Sequence, residues 1–396
     1  MTQLSSNERW LGIIAADDDG SSYAGVFDLA RGTMAAPFVD LGAEFTDLWI
    51  DDNATLYMIR SVGSEPGLYR LALGGRETEV VAELSVGLSQ RGPARLEPDG
   101  SEFVIFGVTT RPSFDRSGSA VLYVVDLENG TQRDLDLSFI RAGFETLQDT
   151  GAGPVVKTWD PALIWDPGRR LVYVVHADSD RITAIDLDDL SVAADQEFNS
   201  PNSALVSAFS WLIPPAHAKF YDGNRRQGVL SADGARLFVA TGASEAFEQS
   251  DGRWASTETP LGIQVIDVDR LQEVDRIDLP VDSVALSPDG TMLFASGTSR
   301  AWSEGGTSQI EPHGLFVLDS SDLSQIAHLD FGQSVGPPLF SLDGSIMYVA
   351  SWSEHTGTTT LHAVDLETME VAGERDYRWG TFVSAVALIA DLPPSR

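Results

Sequence analysis

The residues able to do chemistry are few, and they are gathered. Four of the six histidines (His176, His217, His313, His355) and six of the nine tryptophans (Trp159, Trp211, Trp254, Trp302, Trp352, Trp379) lie in or beside long polar stretches. The densest stretch, WLIPPAHAKFYDGNRRQG (211–228), carries His217, Lys219, Tyr221, Arg225 and Arg226 in a chain that otherwise has only Lys157 as a lysine. Trp and His join contact area to a polar handle, and a local group of cations can hold a carboxylate or phosphate. Together these residues form a candidate ligand-binding set. The competing reading is structural: the tryptophans pack the polar stretches onto the fold, and Arg225 and Arg226 pair with two of the many acids.

Signatures of catalysis were sought and not met. There is no G-x-S-x-G elbow, H-E-x-x-H pair, Walker loop or dinucleotide-type glycine loop. The four histidines come from separate segments, whereas a catalytic zinc needs three converging ligands with oriented support. No cofactor is expected. The acidic DDDG at 17–20 is the one calcium candidate; it lacks the alternating spacing of an EF-hand loop and reads as a solvated turn.

Composition narrows the partners. With 26 Lys plus Arg against 59 Asp plus Glu, the formal charge is −33, a field that repels phosphate backbones and favours cations. Nucleic acid is therefore not an expected partner; a protein or small molecule is. No run approaches the roughly 18 apolar residues of a membrane-spanning helix. Zero cysteines remove disulfides and thiol chemistry. The polar start MTQLSSNERW suits an exported domain whose leader has been removed, so a periplasmic, extracellular or lipoprotein-anchored protein is expected, with a cytoplasmic one left open.

The elements that must position these residues recur along the chain. RLEPDGSEFVIFGV (95–108), LIWDPGRRLVYVVH (163–176), VLSADGARLFVATG (229–242), ALSPDGTMLFASG (285–297) and LFSLDGSIMYVAS (339–351) each read as a short strand, a tight turn and a longer strand; LWIDDNATLYMIR (48–60) is a weaker copy. Proline presets the first turn dihedral, Asp bonds locally and Gly accepts positive φ. The second strand is apolar on both faces, so a sheet must cover each side. A third strand ending in Asp (Asp126, Asp186, Asp267, Asp319, Asp365) and a more polar fourth strand follow. An aspartate recurring five times is a turn residue bonding its own backbone.

Four antiparallel strands repeated around a ring predict an all-β, seven-bladed β-propeller. The blades fall near 8–42 plus 382–391, 47–84, 93–137, 159–198, 228–279, 282–331 and 335–375, a single domain over 1–396. FVSAVALIAD (382–391) is expected to pair beside Leu11–Ala15 and close the ring; the alternative is the first strand of an incomplete eighth blade. LVYVVHADSDRITAIDLDDLSV resembles the repeats of YVTN-type propellers, and the whole pattern is similar to WD40-like, TolB-like and quinoprotein amine dehydrogenase heavy-chain propellers. It departs from true WD40 repeats in lacking regular Gly-His and Trp-Asp pairs. The resemblance is architectural and carries over no catalytic residue.

Residues beyond a minimal blade fall between second and third strands (109–119, 242–260, 297–313, 352–359) or between blades (138–158, 199–227). Both classes emerge on one face, opposite the tight turns. That face is where a site is expected. The expectation is a non-catalytic ligand- or protein-binding propeller; the alternative is a propeller enzyme, either a metal-dependent lactonase-like hydrolase or the large subunit of a quinoprotein amine dehydrogenase.

Overall fold

A computed structural model describes residues 10–16, 22–28, 33–34, 39–42, 45–50, 55–60, 67–72, 78–84, 94–96, 101–108, 120–150, 153–198, 224–248, 254–303, 309–341, 343–353, 358–377 and 382–389. Among them every regular element is a strand, and no helix is long and apolar enough to cross a membrane.

The pairing gives seven four-stranded antiparallel units. Blades 2, 3 and 4 are plain meanders: Phe45–Ile50 to Glu79–Glu83, Ala94–Leu96 to Gln132–Asp136, and Ala162–Asp166 to Ser191–Glu197. Blade 5 runs from Asn224–Leu230 to Gln272–Ile277 and blade 6 from Ser283–Leu286 to Gln325–Leu329. In blade 7 the innermost strand is split into Ser334–Val335 and Leu339–Phe340, because Pro337 and Pro338 have no amide to donate between them. Blade 1 joins the two ends of the chain. Phe382–Ile389 pairs antiparallel with Trp10–Ala16, Leu11 facing Leu388 and Ala15 facing Val383. This strand also touches the inner strands of blades 7 and 2, as a strand shared between the first and last parts of the ring does.

The core lies between blades. In blade 4, Val172 and Val174 pack with Val104, Phe106 and Leu122 of blade 3, while Tyr173 and Val175 on the other face pack with Leu237 and Val239 of blade 5. Alternation along one strand thus feeds two seams. The same division recurs between blades 2 and 3, 5 and 6, and 6 and 7.

Turn chemistry holds one face. Each third-strand aspartate accepts amides two or three residues ahead, as Asp126 does from Glu128 at 2.8 Å and Asn129 at 2.9 Å. Four residues after the aspartate the chain takes positive φ: Gly130 (65°), Leu190 (51°), Leu271 (52°), Leu323 (63°) and Met369 (55°). Leucine and methionine tolerate this left-handed strain because their side chains plug the seams between blades. The outer strands of blades 2, 4, 5, 6 and 7 each carry a bulge, which disrupts their open edges as templates for foreign strands.

On the opposite face the described parts of the insertions in blades 5 and 6 and before blade 4, expected as loops, are paired strands. Arg236–Glu248 with Trp254–Asp267, and Met292–Ser303 with Gln309–Asp319, run on beyond their blades after a register shift. The two hairpins then pair with each other, Ala255 opposite Ser303 through Glu258 opposite Arg300, fusing blades 5 and 6 into one eight-stranded sheet. Gly143–Thr150 and Gly153–Trp159 form a separate hairpin before blade 4. Backbone amides that would need solvent in a loop are satisfied across strands instead.

Candidate functional site

The structure disperses most of the expected set. Trp211, His217, Lys219, Tyr221, His355 and Trp379 lie outside the described residues, as does the calcium candidate at 17–20. Trp254 opens the third strand of blade 5, and Trp302 lies opposite Ser256 where the two hairpins join. Trp159 is buried, with the Arg141 guanidinium 3.6 Å above its ring, which is the packing role. Trp352 is half-buried and lines a cavity of about 140 Å³ with Gln333 and Ser334.

The described histidines are engaged locally. His176 is 2% exposed, its Nε2 lies 2.9 Å from Thr183 Oγ1, and burial pushes its pKa down to about 4. It is a satisfied core histidine, so its place in the candidate set is corrected. His313 bonds Ser299 at 2.8 Å within the blade 6 hairpin. Among the described residues no group of three His, Cys, Asp or Glu is placed to hold a metal.

One constellation has the look of a catalytic relay. His362 Nε2 lies 2.8 Å from Ser351 Oγ, and Nδ1 lies 3.1 Å from Glu374 Oε1. Two observations make it structural. Ser351 is 0% exposed, so no substrate can reach its hydroxyl. Moreover, His362 stands three residues before the turn aspartate, and other blades place an interacting pair at the same register: Thr183 bonds Asp195 at 3.1 Å, and Phe316 stacks on His328 at 4.3 Å. Gln264, at that register in blade 5, bonds Glu273 at 2.8 Å. The row is a device of the blades. Burial depresses the pKa of His362, and the bond from Glu374 opposes that shift.

The two arginines of the basic stretch diverge because neighbouring strand residues point to opposite faces. Arg226 is buried against Phe198 and donates to Asp180 Oδ1 at 3.1 Å; burial holds its pKa below the ordinary arginine value. Its role is structural. Arg225 faces a cavity of about 230 Å³ at the base of the joined hairpins and donates to Asp282 Oδ2 at 3.2 Å.

That cavity is the best-formed candidate site. Asp160 N donates to Asn224 O (3.0 Å) and Arg226 N to Asp160 O (2.8 Å), which fixes the carboxyl of Asp160 beside Arg225. Burial raises the pKa of Asp160 to about 6, opposed only by the charge of Arg225. Asp282 is raised in the same direction for the same reason, against Arg225 as attraction and hydrogen-bond donor. Glu258, on the joined hairpins, completes three acids against one lining arginine, and Arg300 lies 3.8 Å from it. Thr158, Ser244 and Thr259 add hydroxyls. Partly buried acids of raised pKa inside a cleft are a hallmark of functional sites. Asp160 and Asp282 were missed in the sequence because WDP and VDS look like turns. Their shared placement, one or two residues before an innermost strand, was the available signal.

No protein-family profile matches the chain, and no curated protein matches it. Solved structures do. A protein from Lactobacillus plantarum superposes with a TM-score of 0.52 at 14% identity, covering 97% of this chain and 98% of that one. The WD40 domain of Toxoplasma gondii coronin gives 0.52 at 9% identity over 88% and 76% of the two chains. A functionally unknown protein from Desulfotomaculum acetoxidans gives 0.50 at 12% identity over 92% and 94%. The chain is a β-propeller. At these identities the likeness is one of fold, and the propeller's site must be read from its own residues.

Proposed function

We propose that this propeller is a non-catalytic binding protein that holds a small polar molecule in the cavity framed by Asp160, Arg225, Glu258 and Asp282. One observation carries the reading. Asp160 is half-buried beside the charge of Arg225, yet no hydrogen-bond donor reaches its carboxylate among the described residues. A fold that gained nothing from this group would replace it, since a half-buried carboxylate with no hydrogen-bond donor costs stability. The cost is consistent with a partner arriving from outside. The serine–histidine–acid row found among the described residues lies elsewhere and is sealed.

The test is a thermal-shift screen of small polar metabolites against the purified protein and Thr259→Trp, which places a large side chain at an exposed lining position. Ligands that raise the melting temperature of the native protein are expected to lose that effect in the variant. Hits that shift both proteins equally would overturn the proposal. Export is also proposed: recovery of the protein from the cytoplasmic fraction of its native cells would exclude it.

A further inference from the structure

We infer that the cavity ligand is a small organic cation, bearing an ammonium or guanidinium group that docks against the carboxyl of Asp160. This rests on the cavity being a binding site at all, and it adds the chemical class.

The unsatisfied groups have one sign. Asn224 donates through Nδ2 to Ala177 O at 2.9 Å, and its Oδ1, closed to solvent, has no partner among the described residues. Asp160 offers lone pairs that take no donor among the described residues. Both residues line the same cavity. A carboxyl without a donor calls for a ligand rich in N–H, and a primary ammonium brings three donors and a guanidinium five. The lining hydroxyls of Thr158, Ser244 and Thr259 can donate or accept, so they do not alter that requirement.

Charge agrees with hydrogen bonding. Arg225 is shared between Asp160 and Asp282, and Arg300 is drawn to Glu258, so the acids outnumber the cation free to answer them. An anionic ligand would have to displace those pairings; a cation adds to them. The formal charge of −33 enriches cations around the whole molecule and speeds their encounter. Size sets the last bound. A cavity of roughly 150 Å³ accepts benzene, so about 230 Å³ holds on the order of nine non-hydrogen atoms.

The occupant also sets a pH dependence. Asp160 titrates near 6 in the free protein. A cation binds the ionised form, so affinity rises with pH through that value and binding expels a proton below it.

Titration calorimetry tests this with agmatine and butane-1,4-diamine as cations, glucose as a neutral polyol and succinate as an anion, at low salt. The proteins are the full chain, Asp160→Asn, Thr259→Trp and, as a charge-matched control, Asp269→Asn at an 82% exposed surface side chain. At least one cation is expected to bind the native chain and the control alike, about tenfold or more weaker to Asp160→Asn and to Thr259→Trp, and about tenfold weaker at pH 5 than at pH 7. Asp160→Asn relieves a buried charge, so it is expected to fold and to melt no lower than the native chain. Binding of glucose or succinate that Thr259→Trp abolishes, with no cation bound, would overturn the cationic class and leave the cavity as a binding site. Cation binding that neither cavity variant weakens would be attraction to the acidic surface and would overturn the inference. So would the absence of cation binding at millimolar concentration.

Discussion

The two faces of the propeller are built on different rules. On the turn face one solution is repeated. In blades 5, 6 and 7 a buried serine bonds the aspartate two residues ahead at 2.6, 2.6 and 2.7 Å, and accepts the amide five residues ahead at 2.9, 2.9 and 2.8 Å. On the hairpin face the described residues differ from blade to blade: blades 5 and 6 are fused through paired hairpins, and blade 4 is preceded by its own hairpin. Repetition marks what every blade needs in order to fold. Its absence marks where the proposed ligand would meet Asp160, Arg225 and Asp282.

Glycines give the sharpest test of this contrast. Gly262 stands at φ +90° where the blade 5 hairpin leaves its sheet, and a Cβ there would sit 2.2 Å from the carbonyl oxygen of Ile277. Gly234 stands at φ +69° in a turn, and a Cβ would meet nothing within 4 Å. Gly262→Ala combines strain with a backbone clash and should cost about 3 kcal/mol or more; Gly234→Ala carries only the left-handed penalty, about 1–2 kcal/mol. Urea denaturation of the two variants measures both. Equal losses would mean that the hairpin base relaxes as easily as a turn, and that it cannot hold the cavity in a fixed shape.

Titration separates a residue that serves the fold from one that serves the site. His176 has its folded pKa depressed to about 4 from 6.5, so the unfolded chain binds the extra proton between those values. Its contribution is full above pH 6.5 and is lost as pH falls toward 4, about 3 kcal/mol in all. Asp160 runs the other way. Raised from 3.8 to about 6, it makes the folded state bind the extra proton, so it costs nothing below pH 3.8 and progressively destabilises as pH rises through 6, by about 2 kcal/mol after allowance for solvent screening. Denaturant melts across this range should show His176→Gln losing acid sensitivity and Asp160→Asn gaining stability at neutral pH. An Asp160→Asn that is less stable at pH 7 would make the carboxylate structural and erase the contrast.

The legibility of the sequence follows the same division. Repeated turn chemistry exposes the ring, its blades and the aspartates of the third strands, because each copy must solve the same local problem. The hairpins escape such reading. GASEAFEQSDGRWASTETPLG (242–262) is polar and weak in strand propensity, and what makes it a sheet is pairing with residues 300–303, a non-local cause. The same holds for Ser351, His362 and Glu374, which only register brings together. Of the basic stretch, Arg225 reaches the cavity while Arg226 turns into the core. A one-residue alternation decides their fates, and composition does not record it.

The smallest expected effect tests whether the turn face is truly periodic. Ser231, Ser287 and Ser341 are all buried and make the same two bonds, so each substitution to alanine should cost about 1 kcal/mol. The three serines share no bonding partner, although the turns of blades 5 and 6 touch where Gly290 lies against Ala232, so the triple variant should lose about the sum of the singles, within roughly 0.5 kcal/mol. Thermal or urea unfolding of the four proteins decides it. A deficit well beyond the sum would show that neighbouring turns support one another around the ring. Strain at the hairpin face would then pass to the turns beneath it, and the division between a folding face and a binding face would be one of degree.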